Sequence, residues 1–245
     1  MSRRVAIGFD RRLDLEWLDV AAAQAAKGGS NADLRAAVWA FLEGSVAGDN
    51  PDSARRKTVT VLNHIWGQFP HRRGELRLRA LAQLEGADAN ERLALHWAMM
   101  VGAYPLFTDT ATAIGKLLVL QGDFAIAHVN RRLVAHWGER STLERAAQRI
   151  VRSMVQWGVL QDTAQRGTYQ SGLGSNTIRP AIAMVLFEAM LIDADTASTP
   201  LPQLLAHAAA FPFRFDVNAN HFRNSPHFIL HRQGLNVDCV ELIKL

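Results

Sequence analysis

The chain has 245 residues, of which 27 are lysine or arginine and 23 are aspartate or glutamate, so its formal net charge is +4. A hydrophobic content of 49% excludes a disordered tail, and 17 glycines with eight prolines exclude collagen-like or low-complexity sequence. The single cysteine, Cys239, excludes an intramolecular disulfide and a zinc site built from several cysteines. We expect one large domain or two to three small ones.

The apolar runs of the chain are short. Ala181–Leu186 and Ile114–Leu120 are among the longest, and both fall well below the roughly 18–20 residues that span a bilayer. The N-terminal sequence becomes charged at Asp10–Asp14, so no signal-peptide core follows it. We therefore expect a cytoplasmic protein without membrane contact.

The distribution of charge is more informative than its total. Arginine supplies 23 of the basic residues and lysine four, a bias that is common in GC-rich genomes. Residues 55–79 carry a net charge of +6 and residues 128–179 one of +5, whereas residues 1–54, 80–127 and 180–245 carry −2, −3 and −2. Two basic blocks on a mildly acidic body indicate a polyanion binder. From charge alone, solvated helix faces explain the blocks equally well.

Helical periodicity dominates the sequence as far as Trp137. The predicted helices run from Leu13 to Ala26, from a cap at Asn31 to Gly48, from Asp52 or Ser53 to about Trp66, from about Arg72 to Leu84, from the Asp88/Glu91 start signal to Tyr104, from Thr108 or Asp109 to about Leu120, and from Asp123 to Trp137. The six tryptophans are most simply core anchors of successive helices. The pattern predicts a mainly α fold.

The next helix carries the clearest functional pattern. Ser141 and Glu144 have the spacing of a capping box, and the helix runs from there to about Trp157. Apolar residues form one stripe, while Arg145, Arg149 and Arg152 fall within about 60° of arc on another face. This helix is therefore expected to pack one side into a core and to present arginines on the other.

A predicted hairpin follows this helix. Gly158 ends the helix, Val159–Gln161 forms a strand, Ala164–Gly167 a turn with a basic residue, and Thr168–Gln170 a return strand. With the two helices before it, the segment of about residues 108–171 resembles a winged helix-turn-helix domain. Such a domain places one α-helix in the major groove of DNA.

The resemblance implies DNA contacts, because arginine grips guanine or phosphate bidentately. The residues expected to face bases are Thr142, Arg145 and Arg149. The residues expected to touch the DNA backbone are Arg140, Arg152, Arg166 and Tyr169. Winged helices also serve as protein-interaction modules, so a protein partner stays open.

The first basic block offers a second candidate surface. The residues that could extend a phosphate footprint are Arg55, Arg56, Lys57, Arg72 and Arg73. For Arg77 and Arg79 we favour a solvated face or contacts with acidic residues of a partner chain.

No catalytic or metal-binding pattern emerges. The sequence lacks a phosphate-binding loop, and Gly172–Gly174 is interpreted as a linker. The set His221, His227, His231, Asp238 and Cys239 is the best metal candidate, but on a strand His227 and His231 would lie about 13 Å apart. Cys239 is interpreted as a buried small hydrophobe. We expect no catalytic residue, metal, cofactor or small-molecule substrate, and hence no enzyme.

The last third combines helices with a small β-element. A helix is predicted from Asn176 or Thr177 to Met190 or Leu191, a shorter one from Thr199 to about Ala209, and a hairpin from Phe228–Arg232 and Val237–Ile243 joined by a turn at 233–236. The predicted organisation is a helical domain (1–105), a winged helix-turn-helix domain (106–172) and a C-terminal region of helices with a small β-hairpin (173–245).

This layout, together with Ser141–Tyr169, resembles the small accessory DNA-binding proteins of bacterial phage-defence operons, especially those of BREX systems. The resemblance implies a non-enzymatic subunit that binds double-stranded DNA and acts with other protein subunits. A protein-interaction scaffold whose winged helix binds a partner is the alternative. RNA binding stays open, although no aromatic-rich or KH-type pattern is present.

Overall fold

The computed structural model describes residues 7–48, 50, 53–172, 176–194, 196–234 and 237–243, and its fold is mainly α-helical, as predicted. Among these residues, no helix combines the length and apolar character that a membrane span requires. The N-terminal helices are α1 (Leu15–Ala26), α2 (Asn31–Phe41), α3 (Ala54–Trp66), α4 (His71–Ala82) and α5 (Ala89–Ala103).

The starts of these helices follow local capping chemistry. Asp88 and Glu91 form the predicted start signal of α5, each side chain bonding the other's backbone N–H. Ser53 caps α3, while Asp52, the alternative start, lies outside the described residues. The prediction for α2 was wrong by one residue, because Ser30 is its cap and forms a capping box with Asp33.

Because Ser30 caps α2, the side chain of Asn31 does not cap the helix and instead bonds to another segment of the chain. The Asn31 side-chain amide donates to the backbone oxygen of Gln68 at 3.0 Å and accepts from its N–H at 2.6 Å. This amide therefore joins the start of α2 to the loop that follows α3.

A six-element unit follows the N-terminal helices. It comprises α6 (Pro105–Gln121), β1 (Asp123–Ala125), α7 (Ile126–Trp137), α8 (Ser141–Gln156), β2 (Leu160–Asp162) and β3 (Thr168–Ser171). The strands form one antiparallel sheet in the order β1-β3-β2. The indole N–H of Trp137 donates to Asp109 at 2.8 Å and ties the end of α7 to α6.

Two predicted boundaries in this unit were wrong. The helix α6 begins at Pro105, three residues before Thr108, because proline suits the first position of a helix, where no backbone N–H is needed. Asp123 does not open a helix, because Asp123–Ala125 pairs with β3, with Phe124 opposite Tyr169.

The C-terminal elements surround one apolar helix. They are β4 (Asn176–Thr177), α9 (Pro180–Ala194), β5 (Thr199–Pro200), α10 (Leu201–Leu205), a 3₁₀ turn (Ala208–Ala210), β6 (Phe213–Arg214), α11 (Ala219–Arg223), β7 (Phe228–Gln233) and β8 (Val237–Leu242). The predicted hairpin is confirmed as β7 and β8. Two predicted features lie partly outside the described residues: the linker at residues 173–174 and the turn at residues 235–236. Asn176–Thr177 is a strand parallel to β6 rather than the start of a helix. The short helix predicted from Thr199 to about Ala209 is not continuous, since α10 ends at Leu205 and the 3₁₀ turn begins at Ala208.

The core is continuous across the three predicted regions. The indole of Trp97 on α5 packs edge-on against Phe107 on α6, Trp157 after α8 and Phe213 on β6. Its N–H donates to the backbone oxygen of Ala209 at 2.9 Å. The helix α9 lies against α4 and α5, so the third region shares its core with the first.

Candidate nucleic-acid interface

The helix α8 is strongly amphipathic. Its buried stripe comprises Leu143, Ala146, Ala147, Ile150, Val151 and Met154. Thr142, Arg145 and Arg149 are exposed on the opposite side, as predicted. Because Arg149 follows Arg145 by about one helical turn, α8 presents a cationic edge from its first half to its middle.

The predicted capping box of α8 was wrong. Arg140 is the cap residue, Ser141 is already the first helical residue, and the side chain of the cap residue makes no capping hydrogen bond. The backbone N–H of Leu143 bonds to the oxygen of Arg140, which starts the helix one residue earlier than expected. The positive end of the helix dipole thus lies beside exposed Arg140 and Thr142.

Arg152 is paired within the protein. One terminal nitrogen of its guanidinium lies 2.7 Å and 2.8 Å from the two carboxylate oxygens of Asp162 on β2. This hydrogen bond raises the pKa of Arg152. Of the three arginines predicted to share one face, only Arg145 and Arg149 have no ion-pair partner among the described residues.

Tyr169 is buried, so in this structure its side chain cannot make the contact with the DNA backbone that the resemblance implied. Its side chain is only 3% exposed and packs against the ring of Phe124 at 5.6 Å between centroids. Its hydroxyl accepts a hydrogen bond from Gln148 on α8 at 3.0 Å. Because aromatic residues in strands fill cores as readily as they meet ligands, the sequence could not separate these roles.

Arg166 lies exposed at the tip of the β2–β3 hairpin. The hydroxyl of Thr163 contacts the backbone oxygens of Gln165 and Thr168 and accepts from the N–H of Gln165, all at 3.2 Å. Gly167 has a φ of +78°, a conformation that favours glycine, and its oxygen accepts from Ile126 at the start of α7. The turn is therefore bonded internally through Thr163, and the bond from Ile126 to Gly167 joins it to the start of α7.

Sequence analysis overlooked two cations on α7. Arg131 and Arg132 are exposed, while Val129, Leu133 and Trp137 bury the other face of that helix. The signal was present in the sequence, since both arginines fall in the +5 block and outside the apolar stripe of α7.

The first basic block has a mainly structural role. Arg55 is buried, stacks on the indole of Trp39 and donates from Nε to the oxygen of Trp39 at 2.8 Å. Arg73 stacks on Phe69 and donates to the oxygen of His64, and burial lowers the pKa of Arg73. Both guanidinium groups are engaged within the protein, so the expectation that Arg55 and Arg73 contact phosphate was wrong.

Arg77 and Arg79 also lie within the fold rather than on a solvated face. Arg77 is buried and donates to the oxygens of Trp66 at 2.8 Å and Ala25 at 3.1 Å, and burial lowers its pKa. Arg79 binds Glu188, which is 2% exposed, with Nε 2.6 Å from one carboxylate oxygen. Arg56 and Lys57 stay exposed and Arg72 is half-buried.

A common chemistry explains this use of arginine. The acceptors of Arg55, Arg73 and Arg77 are carbonyls in the last turns of α1, α2 and α3, where backbone oxygens lack partners within the helix. Guanidinium groups satisfy these oxygens and oppose the negative end of the helix dipole.

The metal candidates of the C-terminal third do not converge. Within the described ranges, no three His, Cys, Asp or Glu side chains are arranged to hold a metal ion. His221 bonds to Asn218 at the start of α11, His231 lies on β7 beside Glu241, and Cys239 is buried.

Comparisons with protein-family models, curated proteins and solved structures found no match. The functional argument therefore rests on the geometry of α8, α7 and the β2–β3 hairpin.

Proposed function

We propose that this chain is a non-enzymatic double-stranded DNA-binding protein that acts as an accessory or regulatory subunit of a larger bacterial system, of the phage-defence kind that its layout resembles. The exposed arginines Arg145 and Arg149 carry this proposal, because they project from the first half and the middle of a helix whose other face is buried. An α-helix fits the major groove, and its N-terminal half meets the base edges.

The arrangement around α8 supports the proposal. The succession α6, β1, α7, α8, β2 and β3, with an antiparallel sheet in the order β1-β3-β2, is the arrangement expected of a winged helix. In that arrangement the hairpin lies beside the groove-reading helix, and exposed Arg166 at its tip is suited to a neighbouring phosphate or the minor groove.

The charge of this surface is favourable for a polyanion. Its exposed cations are Arg131, Arg132, Arg140, Arg145, Arg149 and Arg166. Glu139 and Glu144 are the exposed acids near them on the α7–α8 turn and on α8, while Asp162 is neutralised by Arg152. Since phosphate contacts dominate affinity for DNA, this excess of exposed arginine predicts salt-sensitive binding.

One observation favours the second candidate function, a protein-interaction scaffold. Val119 and Leu120, in the last turn of α6, are 91% and 73% exposed. Two adjacent, strongly exposed apolar side chains are typical of a contact with another protein when they belong to a larger patch.

Fluorescence anisotropy with labelled duplex DNA, single-stranded DNA and RNA of one sequence at one salt concentration tests the proposal. We expect the duplex to bind most tightly, and Arg145→Ala/Arg149→Ala to weaken it at least tenfold. The matched control, Lys27→Ala/Arg35→Ala, removes two exposed charges from the N-terminal helices and should leave binding unchanged.

Equal loss in both double variants, or unchanged binding by Arg145→Ala/Arg149→Ala, would contradict the DNA-binding proposal. The scaffold alternative instead predicts a wild-type protein that binds no nucleic acid and an association with a stoichiometric partner that Val119→Ser/Leu120→Ser abolishes.

A further inference from the structure

The β2–β3 hairpin has an unusual distribution of charge. Within residues 160–171, Asp162 is the only acid and Arg166 the only cation. Asp162 lies in β2 against α8, where it binds Arg152, whereas Arg166 lies exposed at the tip. The single acid of the hairpin therefore joins it to the helix, and the single cation is left for a ligand.

We infer that Arg152 is a positioning residue, which fixes the hairpin against α8 so that Arg166 is held in place relative to Arg145 and Arg149. This inference rests on the proposed function and revises the role of Arg152, which shares a face with these arginines and was expected to touch phosphate. It makes the hairpin and α8 one preformed surface with a fixed spacing between its cations.

Distances around the pair support a fixed hairpin. Asp162 presents both carboxylate oxygens to one nitrogen of Arg152. Four residues earlier along α8, Gln148 donates to the hydroxyl of Tyr169, the residue that faces Asp162 across the β2–β3 ladder. Gln148 thus bonds α8 to β3, and Arg152 bonds α8 to β2 and also interacts with the side chain of Tyr169 on β3.

The pair also matters for electrostatics. Without Arg152, the carboxylate of Asp162 would lie unpaired on the surface that we assign to a polyanion, and it would repel the phosphates. Without Asp162, the guanidinium of Arg152 would be released from the hairpin. Arg152 therefore contributes to binding through Asp162 and Arg166 rather than through its own contact with DNA.

A set of four proteins tests this role through duplex affinity measured over a range of salt concentrations. They are the wild type, Arg166→Ala, Arg152→Ala/Asp162→Ala, and the triple variant that combines all three substitutions. The double variant removes the pair without changing the net charge. If Arg152 only positions the hairpin, the slope of log affinity against log salt of the triple variant should stay within about 0.3 of that of Arg166→Ala, because no phosphate contact other than that of Arg166 is lost.

The effect of Arg166 gives the second readout. We expect Arg166→Ala to weaken binding about five- to tenfold in the wild type. In the variant without the pair, the same substitution should weaken binding less than about twofold, because β2 is then no longer joined to α8 and the tip keeps only its attachment through β3 and Gly167. A loss of stability alone would not make the effect of Arg166 depend on the pair.

The charge swap Arg152→Asp/Asp162→Arg provides an independent variant, and it should restore affinity to within about threefold of wild type, because a reversed pair can join the same two elements. A triple variant whose slope is about 0.9 less steep than that of Arg166→Ala overturns the inference, since Arg152 would then contact phosphate. An equal effect of Arg166→Ala in both backgrounds, or a charge swap as weak as the double variant, also overturns it. A wild-type protein that binds no duplex refutes the proposed function itself.

Discussion

Arg77 on α4 joins the ends of two other helices, since its Nε donates to the backbone oxygen of Trp66 at the end of α3 and one terminal nitrogen donates to Ala25 in the last turn of α1. The guanidinium is buried, and its partners are neutral carbonyls rather than a carboxylate. It therefore donates to the oxygen of Trp66 in place of solvent, and it adds a second donor to the oxygen of Ala25, which also accepts from the N–H of Gly28.

We expect Arg77→Ala to lower the free energy of unfolding by about 3 kcal/mol, because it leaves the oxygen of Trp66 without a donor, removes one of the donors to Ala25 and opens a cavity. Urea denaturation measures the change. Arg56→Ala, in the same basic block but exposed, is the control and should change stability by less than about 0.5 kcal/mol. Similar losses in both variants would contradict a structural role that is particular to Arg77.

The buried pair of Arg79 and Glu188 predicts an asymmetry between single and double substitutions. Arg79→Met leaves the carboxylate of Glu188 buried without its main partner and should cost about 3–5 kcal/mol. Arg79→Met/Glu188→Met should recover most of that loss, because two apolar side chains of similar size need no counter-charge. Additive losses in the double variant, measured by the same denaturation, would show that the pair itself stabilises the fold.

Capping provides a prediction that separates two serines. Ser30 accepts from the N–H of Asp33 in a capping box, whereas Ser141 is the first residue of α8 and makes no capping bond. Ser30→Ala should therefore cost about 1 kcal/mol, and Ser141→Ala less than about 0.5 kcal/mol. The midpoints of thermal unfolding compare the two directly, and a larger loss for Ser141→Ala would contradict the assigned helix start.

The buried imidazole of His96 gives stability a pH dependence. The indole N–H of Trp66 donates to His96 Nδ1 at 3.1 Å, so the proton lies on Nε2, which donates to Asp19 at 3.0 Å. Burial lowers the pKa of His96 below its ordinary value of 6.5, and it lowers those of His64 and His207 as well. Below about pH 6.5 the unfolded chain therefore binds protons that the folded protein does not.

We expect the free energy of unfolding to fall as the pH drops from 7 to 5. His96→Gln should be less stable at pH 7, but its stability should fall less steeply, by up to about 1.4 kcal/mol per pH unit. Denaturation at several pH values measures both slopes. A variant with the wild-type slope would show that His96 takes up no additional proton on unfolding.

Local sequence patterns predicted most of the helices. The features that they failed to predict depend on contacts with residues far away in the sequence. The stripe of α8 and the exposure of Arg145 and Arg149 follow from helical periodicity within 16 residues, so sequence sufficed. The strand β1 was missed because its three residues are extended only through pairing with β3, more than 40 residues further along the chain.

The basic block at 55–79 shows the limit of charge patterning. Arg55 and Arg77 meet carbonyls that lie 16 and 52 residues away in sequence, and no local signal distinguishes a buried guanidinium from a solvated one. The same holds for Arg152, whose carboxylate partner is ten residues away on a strand. A high local net charge therefore does not by itself identify a ligand-binding surface. An arginine becomes a candidate for a ligand contact only when its side chain is known to be exposed.

The salt dependence of duplex affinity tests the proposed DNA-binding surface most directly. Four exposed arginines of the predicted set, Arg140, Arg145, Arg149 and Arg166, predict a slope of about −3.6 for log affinity against log salt, if each guanidinium, in the groove or on the backbone, neutralises the charge of one phosphate. Arg145→Ala/Arg149→Ala should reduce it to about −1.8, while Lys27→Ala/Arg35→Ala should leave it unchanged. A wild-type slope near zero, or equal slopes in all three proteins, would contradict DNA binding through α8.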